Sequence, residues 1–170
     1  GQIDAWRKVL DVNYYGALHG CRTVIPWMVE RQRGAVLNVA SITGLVAMPS
    51  MAAYASAKAA VVALSEALHA EVRPSGVVVT VAAPGFFPSE LIARGDFADE
   101  QLRVMAVELS QQSTLTAEQV ARAALDGVDR QRLYVVAGAR SRRFWRLKRL
   151  APTWLTRRIG LRYHRRRQEE

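Results

Sequence analysis

With 170 residues, 50% of them hydrophobic and 23% charged, the chain has the size and composition of one globular domain. Its single cysteine, Cys21, excludes an intrachain disulfide, and no apolar run reaches the roughly 18 to 20 residues of a membrane-spanning helix. The net charge of +9 is unevenly spread: residues 1–139 carry 12 Lys/Arg against 13 Asp/Glu, and residues 140–170 carry 12 against 2. A near-neutral body with a basic segment attached points to contact with an anionic surface rather than to a basic domain. The lone thiol and the lack of a signal pattern point to a reducing, cytoplasmic setting. The chain begins at Gly1 and enters a helical pattern at once, so the expectation is a piece of a longer protein.

From Ile3 to about Arg31 apolar residues (Val9, Val12, Ala17, Cys21, Val24, Ile25, Met28) recur at helical spacing, which predicts a long helix entered through Asp4 and kinked at Pro26. After Arg33-Gly34, the run A-V-L-N-V-A (35–40) predicts a buried parallel strand, and 41–50 a loop. An alanine-rich helix is expected from Met51 to Arg73, ended by Pro74-Ser75-Gly76, and a second strand from Val77 to Ala82. Beyond Pro84-Gly85 an irregular helical stretch runs to about Gln112, Thr116 opens a helix with the capping signature T-A-E-Q, and Leu133 to Val136 reads as a third strand. Strands alternating with helices of ten or more residues predict right-handed crossovers and a parallel sheet covered on both faces, an α/β fold. The composition turns basic near Gly138, so the predicted division is 1–139 and a basic amphipathic tail over 140–170.

Tyr54 and Lys58 are four residues apart on one helix face, and Ser41 sits at the carboxyl end of the preceding strand, where open α/β sheets place their ligands. A phenol is a poor base at neutral pH, and a neighbouring ammonium would bring it toward the working range, so Lys58 is expected to tune Tyr54. Ser41 can donate and accept, and would hold a carbonyl or alcohol oxygen while Tyr54 passes a proton. No side chain supplies hydride, so such a site needs an external carrier. His19, His69 and His164 lack metal-ligand spacing, and no metal is expected.

These residues sit within a wider pattern. Trp6, Val12-Asn13 and Gly16; N-V-A-S-I-T-G at 38–44; Y-A-S-A-K at 54–58; and V-A-A-P-G-F-F-P-S at 81–89 together resemble the short-chain dehydrogenase/reductase family, in order. The resemblance implies a Rossmann-like doubly wound sheet, three strands of which are present. It implies NAD(P)-dependent hydride transfer between nicotinamide and a carbonyl or alcohol, with Asn13, Ser41, Tyr54 and Lys58 as the catalytic set. By the same resemblance Lys58, with Tyr54, contacts the nicotinamide ribose, Pro84, Gly85 and Phe87 lie against the nicotinamide, and Ser89 stands where threonine is usual. Dimerisation is implied through the helices over 4–31 and 51–73. The family's glycine-rich phosphate turn, its NAD-or-NADP selecting residue and its N-N-A-G segment have no counterpart in the 170 residues. The chain alone is therefore expected to bind cofactor weakly and to leave its first strand with an open edge. The alternative is a non-catalytic remnant acting as an interaction or membrane-associated module.

The variable region from Phe86 to Leu109, with Phe86, Phe87, Leu91, Ile92 and Phe97, suggests an apolar carbonyl or alcohol substrate. In the tail, Phe144, Leu147 and Ala151 share a helical face flanked by Trp145 and Leu150, and a segment after Pro152 presents Trp154, Leu155 and Ile159. Arginines and tryptophan on apolar stripes suit an anionic membrane surface. A helix covering the substrate cleft is the competing reading, and nucleic acid is the least favoured because no recognised nucleic-acid module accompanies the charge.

Overall fold

The computed structural model describes the backbone of residues 2–90, 92 and 100–168. The long N-terminal helix is a helical run in three parts: α1 (Gln2–Leu10), a π-helical turn (Asp11–Tyr15) and α2 (Gly16–Glu30), with Pro26 inside α2. Gln32 takes a left-handed φ of 53°, the chain reverses, and β1 (Gly34–Val39) begins. The expected loop over 41–50 contains a short helix, α3 (Ile42–Leu45), which four residues of apolar pattern could not announce. Then come α4 (Ala52–Val72), a 3-10 turn (Arg73–Ser75) and β2 (Val77–Ala82).

Residues 83–89 take no regular structure and Glu90 and Ile92 are helical; α5 spans Glu100–Gln111 and α6 Ala117–Asp129, the latter opened by the expected capping box between Thr116 and Gln119. The third strand, β3, is shorter than expected at Tyr134–Val135, yet the carbonyls of Leu133 and Val135 accept from the Val81 and Ala83 N–H groups at 2.7 Å. Helices α7 (Ala139–Leu150) and α8 (Pro152–Arg166) close the chain.

The three strands form a parallel sheet in the order β1-β2-β3, with Gly34 opposite Val77 and Val81 opposite Tyr134. Alternation across β2 sorts the layers. Val77 and Val79 point into a cluster with Cys21, Ile25 and Val72 of α2 and α4, while Thr80 on the opposite face bonds the Arg132 carbonyl at 2.8 Å, behind α6. This gives the partial Rossmann-like α/β arrangement with helices on both faces. Among the described residues β1 pairs only with β2, so its other edge is open, as expected, and Ile3, Trp6 and Val12 of the first helical run lie exposed.

The C-terminal segment does not stand away from the sheet. Phe144, Trp145 and Leu147 of α7, with Leu155 and Ile159 of α8, pack on Ile42, Val46, Ala83 and Val136. Leu155 is 2% exposed. Tyr163 reaches Ser50, just before α4, through a 2.8 Å hydroxyl pair. The apolar residues read as one membrane-facing set are thus divided, and most of them cover the body of the domain.

Candidate functional site

The site forms where β1 and β2 end. Pairing continues past both strands, with Ala40 N–H donating to the Ala82 carbonyl and Ile42 N–H to the Pro84 carbonyl, each at 2.8 Å. Ser41 lies between these two anchors in extended conformation and caps α3. Its Oγ accepts from the Thr43 N–H at 3.2 Å and from Thr43 Oγ1 at 3.0 Å. A hydroxyl has two acceptor positions and one proton, so with both acceptor positions occupied Ser41 presents itself as a donor.

Tyr54 stands in the first turns of α4, half-buried beside this hydroxyl. Burial raises the phenol above its ordinary pKa, and the Ser41 side chain pulls it back down. Lys58, one turn further on, places Nζ 5.7 Å from the Tyr54 ring centroid and donates to the Val39 carbonyl at 3.0 Å. Burial lowers the pKa of this ammonium. The expected lowering of Tyr54 by Lys58 is not what the structure shows. The ammonium is engaged by Val39 and lies over the ring, so desolvation dominates and Ser41 is the counterweight.

Gly44 lets α3 approach this point. A Cβ there would lie 2.7 Å from the backbone carbon and oxygen of Lys58, so the close approach admits glycine alone without movement of one helix. Ser41, Tyr54 and Lys58 are therefore brought together. Asn13 lies in the π-helical turn, which packs along α4, and its Nδ2 donates to the Val9 carbonyl of its own helix at 3.0 Å. Widened turns of this kind cluster at functional sites.

Pro84 is buried and tied to α3 through its carbonyl, and Gly85, Phe87 and Ser89 follow, partly buried and without regular structure. Gly85 lies directly under Ser141 of α7, whose Oγ would collide with a Cβ. Next to this loop opens a cavity of about 750 Å³, walled by Ile42, Val46, Phe86, Leu109, Arg140 and Phe144 among others. Its size suits a small organic ligand. Phe86 and Leu109 of the expected substrate region thus line it, whereas Leu91 and Phe97 lie outside the described residues.

Two features of the site were not foreseen, the Thr43 bracket on Ser41 and the seat at Gly44, whereas a part for α7 in the cavity wall was among the readings of the basic segment. The S-x-T spacing is a local turn signal that pointed to the first. Among the described residues no group of three metal-ligating side chains converges, and no helix is long and apolar enough to cross a membrane.

Comparison with known proteins agrees with this geometry. A family model described as short chain dehydrogenase matches residues 1–100. The chain is 38% identical over 104 residues to the Inactive 2-(S)-hydroxypropyl-CoM dehydrogenase 2 of Xanthobacter autotrophicus, an alignment covering 59% of this chain and 45% of that protein. It is 33% identical over 130 residues to Dehydrogenase/reductase SDR family member 7B of Rattus norvegicus, covering 76% of this chain and 40% of the relative. The chain thus spans less than half the length of these curated relatives. Among solved structures, a short-chain dehydrogenase/reductase from Burkholderia phymatum in complex with NAD superposes with a TM-score of 0.75 at 26% identity, covering 85% of this chain and 57% of that one. A short-chain dehydrogenase from Burkholderia cenocepacia in complex with NADP gives 0.76 at 26% identity, covering 92% and 59%. The fold, the bracketed serine beside the Tyr54–Lys58 turn, and the match over residues 1–100 place this chain in the short-chain dehydrogenase/reductase family.

Proposed function

We propose that this chain supplies the catalytic half of an NAD(P)-dependent oxidoreductase that interconverts an apolar carbonyl and its alcohol, with Tyr54 as the proton donor and acceptor. The observation that carries the reading is the double occupation of Ser41 Oγ by Thr43, which leaves the serine acting as a donor on the Tyr54 side, where a substrate oxygen would take over the bond it gives the phenol. Because burial holds that phenol protonated through neutral pH, the resting site is set for reduction: Ser41 donates to the carbonyl oxygen, and Tyr54 delivers its proton as negative charge builds there. Lys58 keeps two N–H groups beyond the one given to Val39, and so can hold a ribose hydroxyl, while the Ser41 hydroxyl steadies the phenolate left behind.

The residues present fit the nicotinamide half of a dinucleotide. The Pro84 carbonyl accepts from the Ile42 N–H next to Ser41, so the Pro84–Ser89 backbone leaves β2 beside the reacting groups. Pro84, Gly85, Phe87 and Ser89 would lie along the nicotinamide, whose chemistry when bound is hydride donation or acceptance. Asn13 completes the set from the π-helical turn, where the one Nδ2–H given to Val9 leaves its second amide N–H and its Oδ1. The dinucleotide phosphates are assigned to residues outside these 170, residues 1–139 to the C-terminal part of the Rossmann-like domain, and residues 140–170 to a basic amphipathic tail folded onto it. Pairing of two copies through the helices over 4–31 and 51–73 accords with the exposed Trp6, Val12 and Trp27. The cavity beside Phe86 and Phe144 is where an apolar substrate would sit, and a cytoplasmic setting accords with the free Cys21.

The open edge of β1 favours one other reading, in which the chain persists as a non-catalytic module that pairs with a second subunit. Titration with NADPH and NADH, followed by tryptophan fluorescence and then by addition of an apolar ketone, separates the two. Saturable binding with ketone-dependent loss of the reduced nicotinamide is expected for the enzyme. Absence of both, in the chain and in the longest protein that contains it, leaves the pairing module.

A further inference from the structure

The two terminal helices divide their apolar side chains between two destinations. On α8, Leu155, Ile159 and Tyr163 recur every four residues and face inward, onto the sheet body and Ser50. Trp154, Arg158, Leu161 and Arg165 form a second stripe one position away, and it faces solvent: Trp154 is 54% and Leu161 59% exposed. At the end of α7, Leu150 is 84% exposed, four residues before Trp154. These three are the large apolar side chains that residues 140–168 leave in water, and Arg146, Arg149, Arg157 and Arg162 surround them, all exposed. The Arg158 guanidinium lies 6.0 Å from the Trp154 ring centroid.

We infer that this outer face of α7 and α8 is a docking surface for an anionic lipid bilayer. Charge complementarity names the partner. The segment carries 12 Lys/Arg against 2 Asp/Glu, beside a body that is close to neutral, so attraction to anionic headgroups is concentrated on the segment that holds these exposed apolar residues. Tryptophan favours the boundary between headgroups and acyl chains, and leucine gains only by entering it. Leu150 and Leu161 are also what separates lipid from nucleic acid, because phosphates and stacked bases reward the arginines and Trp154 but offer nothing to two exposed leucines. The inward stripe stays in the core, so docking needs no unfolding of either helix.

The test is cosedimentation of the full chain with vesicles of phosphatidylglycerol and phosphatidylcholine, with pure phosphatidylcholine as control and brominated lipid as a quencher of Trp154. Expected are salt-sensitive binding to the anionic vesicles alone and quenching that disappears in Trp154→Phe. Each basic residue at an anionic surface is worth about a fivefold factor in partitioning, so the Arg157→Gln/Arg158→Gln/Arg162→Gln variant should lose about 100-fold. The Leu150→Ala/Trp154→Ala/Leu161→Ala variant, altered only at exposed positions and checked by circular dichroism, should keep its fold and lose insertion. Equal vesicle binding by this variant and the parent overturns the inference. So does failure to bind anionic vesicles together with binding to duplex DNA that the three apolar substitutions leave unchanged.

Discussion

Thr43 donates to Ser41 Oγ twice, from its backbone N–H at 3.2 Å and its hydroxyl at 3.0 Å. A threonine two residues downstream therefore fixes the direction in which the serine can donate. Thr43→Val keeps the shape and the backbone bond but frees one acceptor position, so Ser41 can rotate. Loss of one hydrogen bond's worth of orientation should lower turnover about fivefold with KM little changed. Thr43→Ser should restore it, whereas a purely structural role would show the same loss of thermal stability in both variants.

The pH dependence follows from the raised Tyr54 pKa. Proton delivery needs the protonated phenol, so carbonyl reduction should stay level through neutral pH and fall only above the ordinary phenol value of about 10. Alcohol oxidation needs the phenolate and should rise with pH. Ser41 is the influence that lowers this pKa, so Ser41→Ala should move the limb to still higher pH as well as slowing the reaction. Single-turnover profiles in both directions check this, and a limb near pH 7 that ignores Ser41 would assign the titration to another group.

Gly44→Ala tests the seat beneath Lys58. Its Cβ would come within 2.7 Å of the Lys58 carbonyl group, so α3 or α4 must move. Overpacking of this kind costs about 1 to 3 kcal/mol, and a lower urea midpoint with an unchanged slope is the expected signature.

Leu155→Ala measures how firmly the basic segment is built in. A leucine 2% exposed in a mixed cluster with Ile42 and Val136 should cost about 2 to 5 kcal/mol when truncated. Leu161→Ala, on the outer face of the same helix, should fall within about 0.5 kcal/mol of the parent. Equal effects would mean that α8 is not docked through its inner stripe.

Much of this architecture could be read before any coordinates. Val77 to Ala82 declares a buried strand by an apolar run broken only at Thr80, while Thr116 and Gln119 announce a capping box, and the four-residue step from Tyr54 to Lys58 puts both on one face of α4. The π-helical turn at Asn13 was hidden because one widened turn hardly disturbs the apolar periodicity on either side. The partners of Lys58 and Asn13 were hidden for a different reason: spacing fixes which face a side chain leaves from, while the carbonyls of Val39 and Val9 that receive them depend on how the backbone is placed. In the tail, Trp154 and Leu155 are neighbours in two overlapping apolar stripes, and only packing decides which stripe the core takes.

The most direct measurement is the single-turnover rate of hydride transfer in Tyr54→Phe, made in the full-length protein with NADPH or NADH and an apolar ketone, beside the affinity for the same nucleotide. A drop of roughly 10²- to 10⁴-fold in rate, with nucleotide affinity kept, is the result expected if Tyr54 delivers the proton. An unchanged rate would contradict that role and remove the reason for reading Ser41, Tyr54 and Lys58 as one site.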